Sequence, residues 1–342
     1  MAEVSVAQLR SRLVEIETRK AHYERKSDQA EGKLAQHEVW RHAYLSYPYL
    51  VGAPDDRLAT RFRDVFISQS ELGNEGKIGL MSLKDGHGFM QKFTHMLEEY
   101  GSRGGMPPPS TIQEVRAAVS RYFENGGPIA LKMFANYTTP SSPFLVKYGR
   151  REFLEPMLHR GIIRICPASF YNNQAFLESV KDNETSRLFF IPTFRERLNG
   201  RSFLDFQGHR ISFGNDDIVL PVVVPDYYLF SLCDYIYYRL PTDFDADRAL
   251  IIHDPIRFSQ RVISTFLANW PEWEPMYGPV TYYDPYRDYT KARIPEMSKH
   301  FGYAYQREVR VAFRDRQLIR TALQPRFLTI GSMTDYAELV GA

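Results

Sequence analysis

The chain has 342 residues, enough for about two domains and for a core that needs no disulfide or metal staple. Its 44% hydrophobic and 25% charged residues argue against a largely disordered chain. With 43 basic and 41 acidic residues the formal net charge is +2, and neither half is a polycation, so counterion release does not drive tight, non-specific nucleic-acid binding; a local basic groove stays open. Cys166 and Cys233 are too few for a four-cysteine zinc site or a disulfide framework, and read as buried, reduced thiols. The opening MAEVSVAQLRSRL lacks an apolar signal core, and no apolar run approaches the ~20 residues of a membrane span. A cytoplasmic protein with no membrane partner is expected.

In chain order, Val6, Leu9, Leu13 and Ile16 recur at helical spacing, and the stripe returns at Leu34, Trp40 and Tyr44. Residues 4–46 therefore read as one long helix or a helical pair, either half exposed or an arm that docks on a partner. Pro48 and Pro54 break the pattern. Further helices are expected over GFMQKFTHMLEEY and TIQEVRAAVSRYFEN, the second starting near Ser110 and Thr111 and ending at Asn125-Gly126-Gly127. NYTTPSSP, residues 136–143, reads as a linker.

The character then changes. FLVKY (144–148) is a strand, REFLEPMLHR (151–160) a helix ended by Gly161, and IIRICP (162–167) a strand. Strands follow at IVLPVVV (218–224), YYLFSL (227–232), RALIIH (248–253), REVRVAF (307–313) and RFLTIG (326–331), the last leading into a possible helix at the C-terminus. Many short strands with few long helices between them predict an α+β domain on a bent antiparallel sheet. The division is a helical region, 1–140, and a second domain, 141–342. The 22 tyrosines and 23 phenylalanines, dense in DYIYYR and TYYDPYRDY, suit either a cleft for a planar ligand or plain packing.

Several chemistries are excluded. Glu71 stands where a P-loop needs its first glycine, and Gln91 where a dinucleotide fingerprint after Gly86 and Gly88 needs its third. HExxH, GxSxG and CxxC do not occur, and no metal is implied. His253 reads as structural.

Three segments carry chemistry together. VKYGRREFLEPMLHRGIIRICPASFYN (146–172) gives strand, glycine turn, helix, strand and a polar aromatic cluster. YAYQREVRVAF (303–313) puts Gln306 and Glu308 two apart, on one face of a strand. RFLTIGSMTDYAELV closes the domain. In this order residues 144–342 resemble the ADP-ribosyltransferase-like fold, as found in bacterial toxins and in an uncharacterised family related to them. In that fold the first strand carries His, Arg or Tyr, often followed by Gly. Tyr148, Gly149, Arg150 and Arg151 stand there. Ser169, Tyr171 and Asn172 lie where the second strand leads to Ser, Thr or Tyr, and Gln306-Arg307-Glu308 matches the late Gln-x-Glu pair. Tyr148 replaces the His or Arg of many members, and no Ser-Thr-Ser triplet is present.

The resemblance implies a split antiparallel sheet and NAD as the ADP-ribose donor. Breaking the nicotinamide–ribose bond creates an oxocarbenium-like transition state, which a pre-placed carboxylate stabilises. Glu308 is the candidate, against the alternative of a strand Glu paired with Arg310. Gln306 would bond the acceptor or the ribose. Gly149 would let the backbone approach the nicotinamide amide. Arg150 and Arg151 would clamp the pyrophosphate, one of them only solvated. Tyr148 or Tyr171 would stack on the nicotinamide. KDNETSR, with Asp182, Glu184 and Arg187, reads as an exposed loop bordering the site. Protein, RNA and DNA are all open as acceptor; Arg195, Arg197 and Arg201 suit a nucleic acid, or a solvated loop. A toxin or anti-phage effector of this kind implies an antitoxin or inhibitory partner. Transfer to water, as an NAD glycohydrolase, and a non-catalytic binding module are the alternatives.

Overall fold

The N-terminal third is helical, as its periodicity predicts, in a computed structural model that describes residues 4–73, 75, 77–80, 88–121, 124, 127–173, 183–291, 293–317 and 322–341. Asp182, Gly86, Asn125 and Gly126 lie outside the described residues. Helix α1 (Val6–Gln29) opens on Ser5 and Gln8, each accepting the other's backbone N–H and so satisfying two donors that a helix start leaves unpaired. Leu9 and Ile16 are buried. Glu31 and Gly32, both at positive φ (49° and 80°), turn the chain, so the expected helix is a pair. Then come α2 (Gln36–Ser46), α3 (Asp55–Gln69), a two-stranded sheet of β1 (Ser70–Leu72) and β2 (Ile78–Leu80), α4 (Phe89–Ser102), α5 (Pro109–Arg121) and α6 (Gly127–Met133).

Past the segment 136–143, which holds neither helix nor strand, β3 (Leu145–Gly149), α7 (Arg151–Arg160) and β4 (Ile162–Pro167) follow as expected. Gly161 ends α7 at φ 67°; a Cβ there would lie 2.1 Å from the Gly331 carbonyl oxygen, so both backbone and contact demand glycine. The order continues with β5 (Ser186–Ile191), α8 (Phe194–Leu198), β6 (Phe203–Phe206), β7 (His209–Ser212), β8 (Ile218–Val223), β9 (Tyr228–Cys233), α9 (Leu240–Asp243) and β10 (Arg248–Ile252). It closes with α10 (Pro255–Asn269), β11 (Trp273–Pro279), β12 (Thr281–Tyr283), β13 (Ser298–His300), β14 (Glu308–Asp315), β15 (Arg326–Thr329) and β16 (Ala337–Val340).

The architecture is α+β. The main sheet runs β11–β14–β9–β3–β10–β16 with antiparallel neighbours; β4 joins β9, and β15 joins β4. Strand β9 meets β3 only at Val146–Cys233, and β4 only at Cys166–Leu229 and Pro167–Tyr228. The sheet therefore forks along β9. Alternation sorts the side chains. Phe230 and Leu232 of β9 and Val309, Val311 and Phe313 of β14 pack on one face against Phe258, Val262 and Phe266 of α10 and Leu154 of α7. The Phe266 and Phe313 rings stack. Ser231, Cys233, Glu308 and Arg310 occupy the alternate positions.

One expectation is corrected. The C-terminal segment is a strand, not a helix: β16 pairs with β10 from Ala249–Val340 to Ile252–Ala337, because that edge of β10 has no other partner and four residues satisfy it. Long helices are few between the strands, as expected: α10 spans 15 residues and α7 spans 10. Asp254 caps α10 by accepting from the Arg257 N–H, Pro255 opens it, and Phe258, Val262 and Phe266 recur at four-residue spacing on its buried side.

The helical region shares a core with the rest. Leu58, Phe62 and Val65 of α3 belong to one buried cluster with Val146, Tyr148, Phe301 and Tyr305. Arg61 of α3 donates to both carboxylate oxygens of Asp284 at 2.9 and 2.7 Å, and Arg239 donates to the carbonyls of Ile67 and Ser70 at 2.8 Å each. Both cysteines are free and buried. Among the described residues no helix is long and apolar enough to cross a membrane.

Candidate active site

At the fork, β3, β9 and β14 line a cavity of about 220 Å³. Strand β14 supplies Glu308, β9 supplies Ser231 and Cys233, and β3 supplies Lys147 and Tyr148. Gln306, Lys299, Glu184 and Tyr171 complete the polar wall, and Phe244 closes an apolar side against the Tyr148 ring, 6.1 Å away and nearly parallel.

Gln306 and Glu308 do not share a face of one strand, as their spacing predicts. Gln306 ends a 3-10 helix, Phe301–Gln306, and Glu308 opens β14. Between them Arg307 takes the left-handed conformation, φ 44°, and is anchored to Asp234 at 2.7 Å. The kink brings both side chains to Lys299, whose Nζ donates to Gln306 Oε1 at 3.1 Å and Glu308 Oε2 at 3.2 Å.

Glu308 is buried and fully engaged. Ser231 Oγ and Arg310 Nε each donate to its Oε1 at 2.5 Å, and its own backbone N–H donates to the Tyr282 hydroxyl at 2.8 Å. Arg310 also holds Glu184, with Nη1 donating to Oε2 at 2.9 Å, and the Tyr227 hydroxyl donates to the same oxygen at 2.9 Å. Burial pushes the Glu308 carboxyl up, but Arg310, Lys299 and the Ser231 hydrogen bond outweigh it and hold the group far below the usual carboxylate range. Glu184 is lowered against the same burial by Arg310 and Lys299. These contacts favour the ionised form of Glu308. It is also paired with Arg310, as the alternative assignment of this residue predicts.

Lys147 reaches into the fork. Its Nζ donates to the Ser231 carbonyl at 2.8 Å and lies 4.7 Å from the Phe230 ring centre. Burial lowers its pKa, and the thiols of Cys233 and Cys166 and the Glu308 carboxylate offset this only in part. Burial likewise pushes the Tyr171 phenol up.

Tyr148, Tyr171, Gln306 and Glu308 therefore meet in one cavity, as expected. Glu184, from the segment expected to border the site, lines it too, whereas Gly149, Arg150, Arg151, Ser169 and Asn172 do not. Gly149 ends β3, where a Cβ would meet only Leu154 at an ordinary 3.5 Å, so no close approach demands glycine there. Arg150 pairs with Asp245 and Arg151 with Glu155, and both line a separate open groove beside Ile129 and Ala246. Neighbouring carboxylates turn both away from the fork. Ser169 is tethered to Asp226, its N–H at 2.9 Å and its Oγ at 2.6 Å, and Asn172 faces Thr185 at 3.4 Å. Glu184 and Arg187 are buried, not exposed, because Arg310 and the backbone carbonyls of Glu184, Pro295 and Ser298 draw them inward. Arg197 is buried too and donates to the Val4 carbonyl, so it presents no charge to a nucleic acid.

The sequence analysis missed Lys147, Ser231 and Lys299. For the first two a signal existed: each is a lone polar residue inside an apolar strand, FLVKY and YYLFSL. Lys299 carries no such pattern. Among the described residues no group of three or more His, Cys, Asp or Glu is placed to hold a metal. No family model, curated protein or solved structure matches the chain.

Proposed function

We propose that the chain is an NAD-dependent ADP-ribosyltransferase whose reaction takes place at Glu308. The observation that carries this reading is a buried carboxylate, fixed by Ser231, Arg310 and Lys299, in the wall of a cavity that also holds Tyr148, Tyr171, Gln306 and Lys147. A carboxylate that stays deprotonated is a poor acid, and a good fixed anion for a cation that exists only in the transition state.

In the proposed reaction the bond between the ribose C1′ and the nicotinamide nitrogen breaks. Nicotinamide leaves with the bonding electrons as a neutral molecule. Glu308 stabilises the oxocarbenium-like ribose, and Gln306 positions a ribose hydroxyl or the acceptor. The acceptor atom then bonds C1′ and loses its proton. Tyr148 or Tyr171 stacks on the nicotinamide. The cavity is smaller than the ~300–1,000 Å³ of typical ligand pockets, so it suits the nicotinamide–ribose end, with the adenylate half outside. Lys147 and Lys299 suit a doubly charged diphosphate nearby. The forked antiparallel sheet supports an ADP-ribosyltransferase-like fold.

The same reading makes the chain a bacterial toxin or anti-phage effector acting on a macromolecule and restrained by an antitoxin, with the helical region as the place for such contacts. The test uses NAD labelled in its adenylate part, incubated with cell lysate that is then split into protein, RNA and DNA. Wild type should leave label in one fraction and Glu308→Gln in none. Free ADP-ribose without a labelled fraction would favour the glycohydrolase. No product from wild type would leave a binding module.

A further inference from the structure

A second cavity, about 310 Å³, lies outside the site just described. Its lining is mostly apolar and aromatic: Phe89 of α4, Phe301 and Ala304 of the 3-10 helix before β14, Val280 and Tyr282, with Thr281 as a neutral polar residue. Lys92 of α4 is the one charged residue among those lining it. Its ammonium lies 5.5 Å from the Phe89 ring centre and 5.4 Å from that of Phe301, and makes no hydrogen bond or ion pair with any described residue. Asp284, whose charge is felt there, is already committed to both nitrogens of Arg61. A part-buried ammonium between ring faces, with no hydrogen-bond partner among the described residues, is costly, and an anion entering the cavity would relieve that cost.

We infer that this cavity is a binding site for a small aromatic monocarboxylate, its ring between Phe89, Phe301 and Tyr282 and its carboxylate on Lys92. The walls set the class. Among the described lining residues, one cation and no further charge select a monoanion, and aromatic faces select a flat apolar body. Phosphates and dianions fit poorly, because a single ammonium would leave their remaining charge buried. The site is distinct from the Glu308 cavity but touches it: Tyr282 lines the second cavity and accepts the Glu308 N–H with its hydroxyl. An occupant therefore rests on the residue that fixes the start of β14.

Benzoate is the probe and benzamide its neutral isostere, each titrated calorimetrically into the full chain. Saturable one-to-one benzoate binding is expected, with benzamide at least tenfold weaker. Lys92→Met, close to lysine in length and apolar, should lose at least tenfold in benzoate affinity. Lys147→Met should not, which separates this cavity from the one at Glu308. Absent benzoate binding, equal binding of benzamide, or affinity lost with Lys147→Met and retained with Lys92→Met would each overturn the assignment. The comparison of the two ligands on the wild type stands even where a variant fails to fold.

Discussion

Two buried carboxylates show how local surroundings decide a charge. Glu308 is kept ionised because Arg310 and Lys299 more than offset its burial. Asp217 has no such rescue. Burial lifts it from 3.8 to about 7, with Asp216 adding to the lift, against a backbone hydrogen bond from Thr193 and the more distant charges of Arg57 and Arg197. Its Oδ1 accepts from the Thr193 N–H at 3.3 Å, and its Oδ2 has no hydrogen-bond partner. The folded protein therefore holds the Asp217 proton more tightly than the unfolded chain does. This contribution to stability is complete below pH 3.8, is lost as pH rises to about 7, and is flat above. Asp217→Asn should remove that slope, on the order of a few kcal/mol across the window. Melting temperatures of both proteins from pH 4 to 8 measure it; parallel curves would refute the assignment.

At the level of elements, legibility follows how local the determinants are. The run β3–α7–β4 was readable residue by residue because its signals are local: an apolar strand, an amphipathic helix, a glycine at its end. Gly161→Ala tests the last of these. Left-handed backbone costs a non-glycine residue about 1–2 kcal/mol. The collision with the Gly331 carbonyl, a backbone atom with little freedom to move, adds more. A loss of several kcal/mol in denaturant unfolding is expected. Strand β16 was misread because its state is set by the open edge of β10, more than 80 residues away. Of the residues singled out for the site, Gln306 and Glu308 do meet in one cavity, though not on one strand face as their spacing predicts, since the kink at Arg307 is a tertiary feature held by Asp234. Arg150, Arg151 and Ser169 looked equally chemical, but Asp245, Glu155 and Asp226 occupy them. Glu155 stands four residues from Arg151 on one helix and was legible; Asp245 and Asp226 are more than 50 residues from Arg150 and Ser169 and were not.

Across the whole molecule, the sheet carries an apolar core on the α10 side, while the other side holds both the site and the contact with the N-terminal helices. The Arg61–Asp284 pair fastens those helices to the segment before β13, and both side chains are buried. Asp284→Asn should cost about 3–5 kcal/mol by leaving Arg61 without its counter-charge. Because one buried cluster spans the helices and the sheet, unfolding should remain a single transition, followed by circular dichroism and by tryptophan fluorescence. Two separated transitions would show that the helical region folds by itself.

Glu308 is proposed to stabilise a ribosyl cation in the forked-sheet cavity. Nicotinamide release from NAD, with cell lysate supplying acceptors, tests it most directly. Wild type and Glu308→Gln are compared after both are shown to melt as folded proteins. The account predicts release by wild type and a fall on the order of 100-fold or more in the variant. Equal release by the two proteins, or none by wild type, would contradict it.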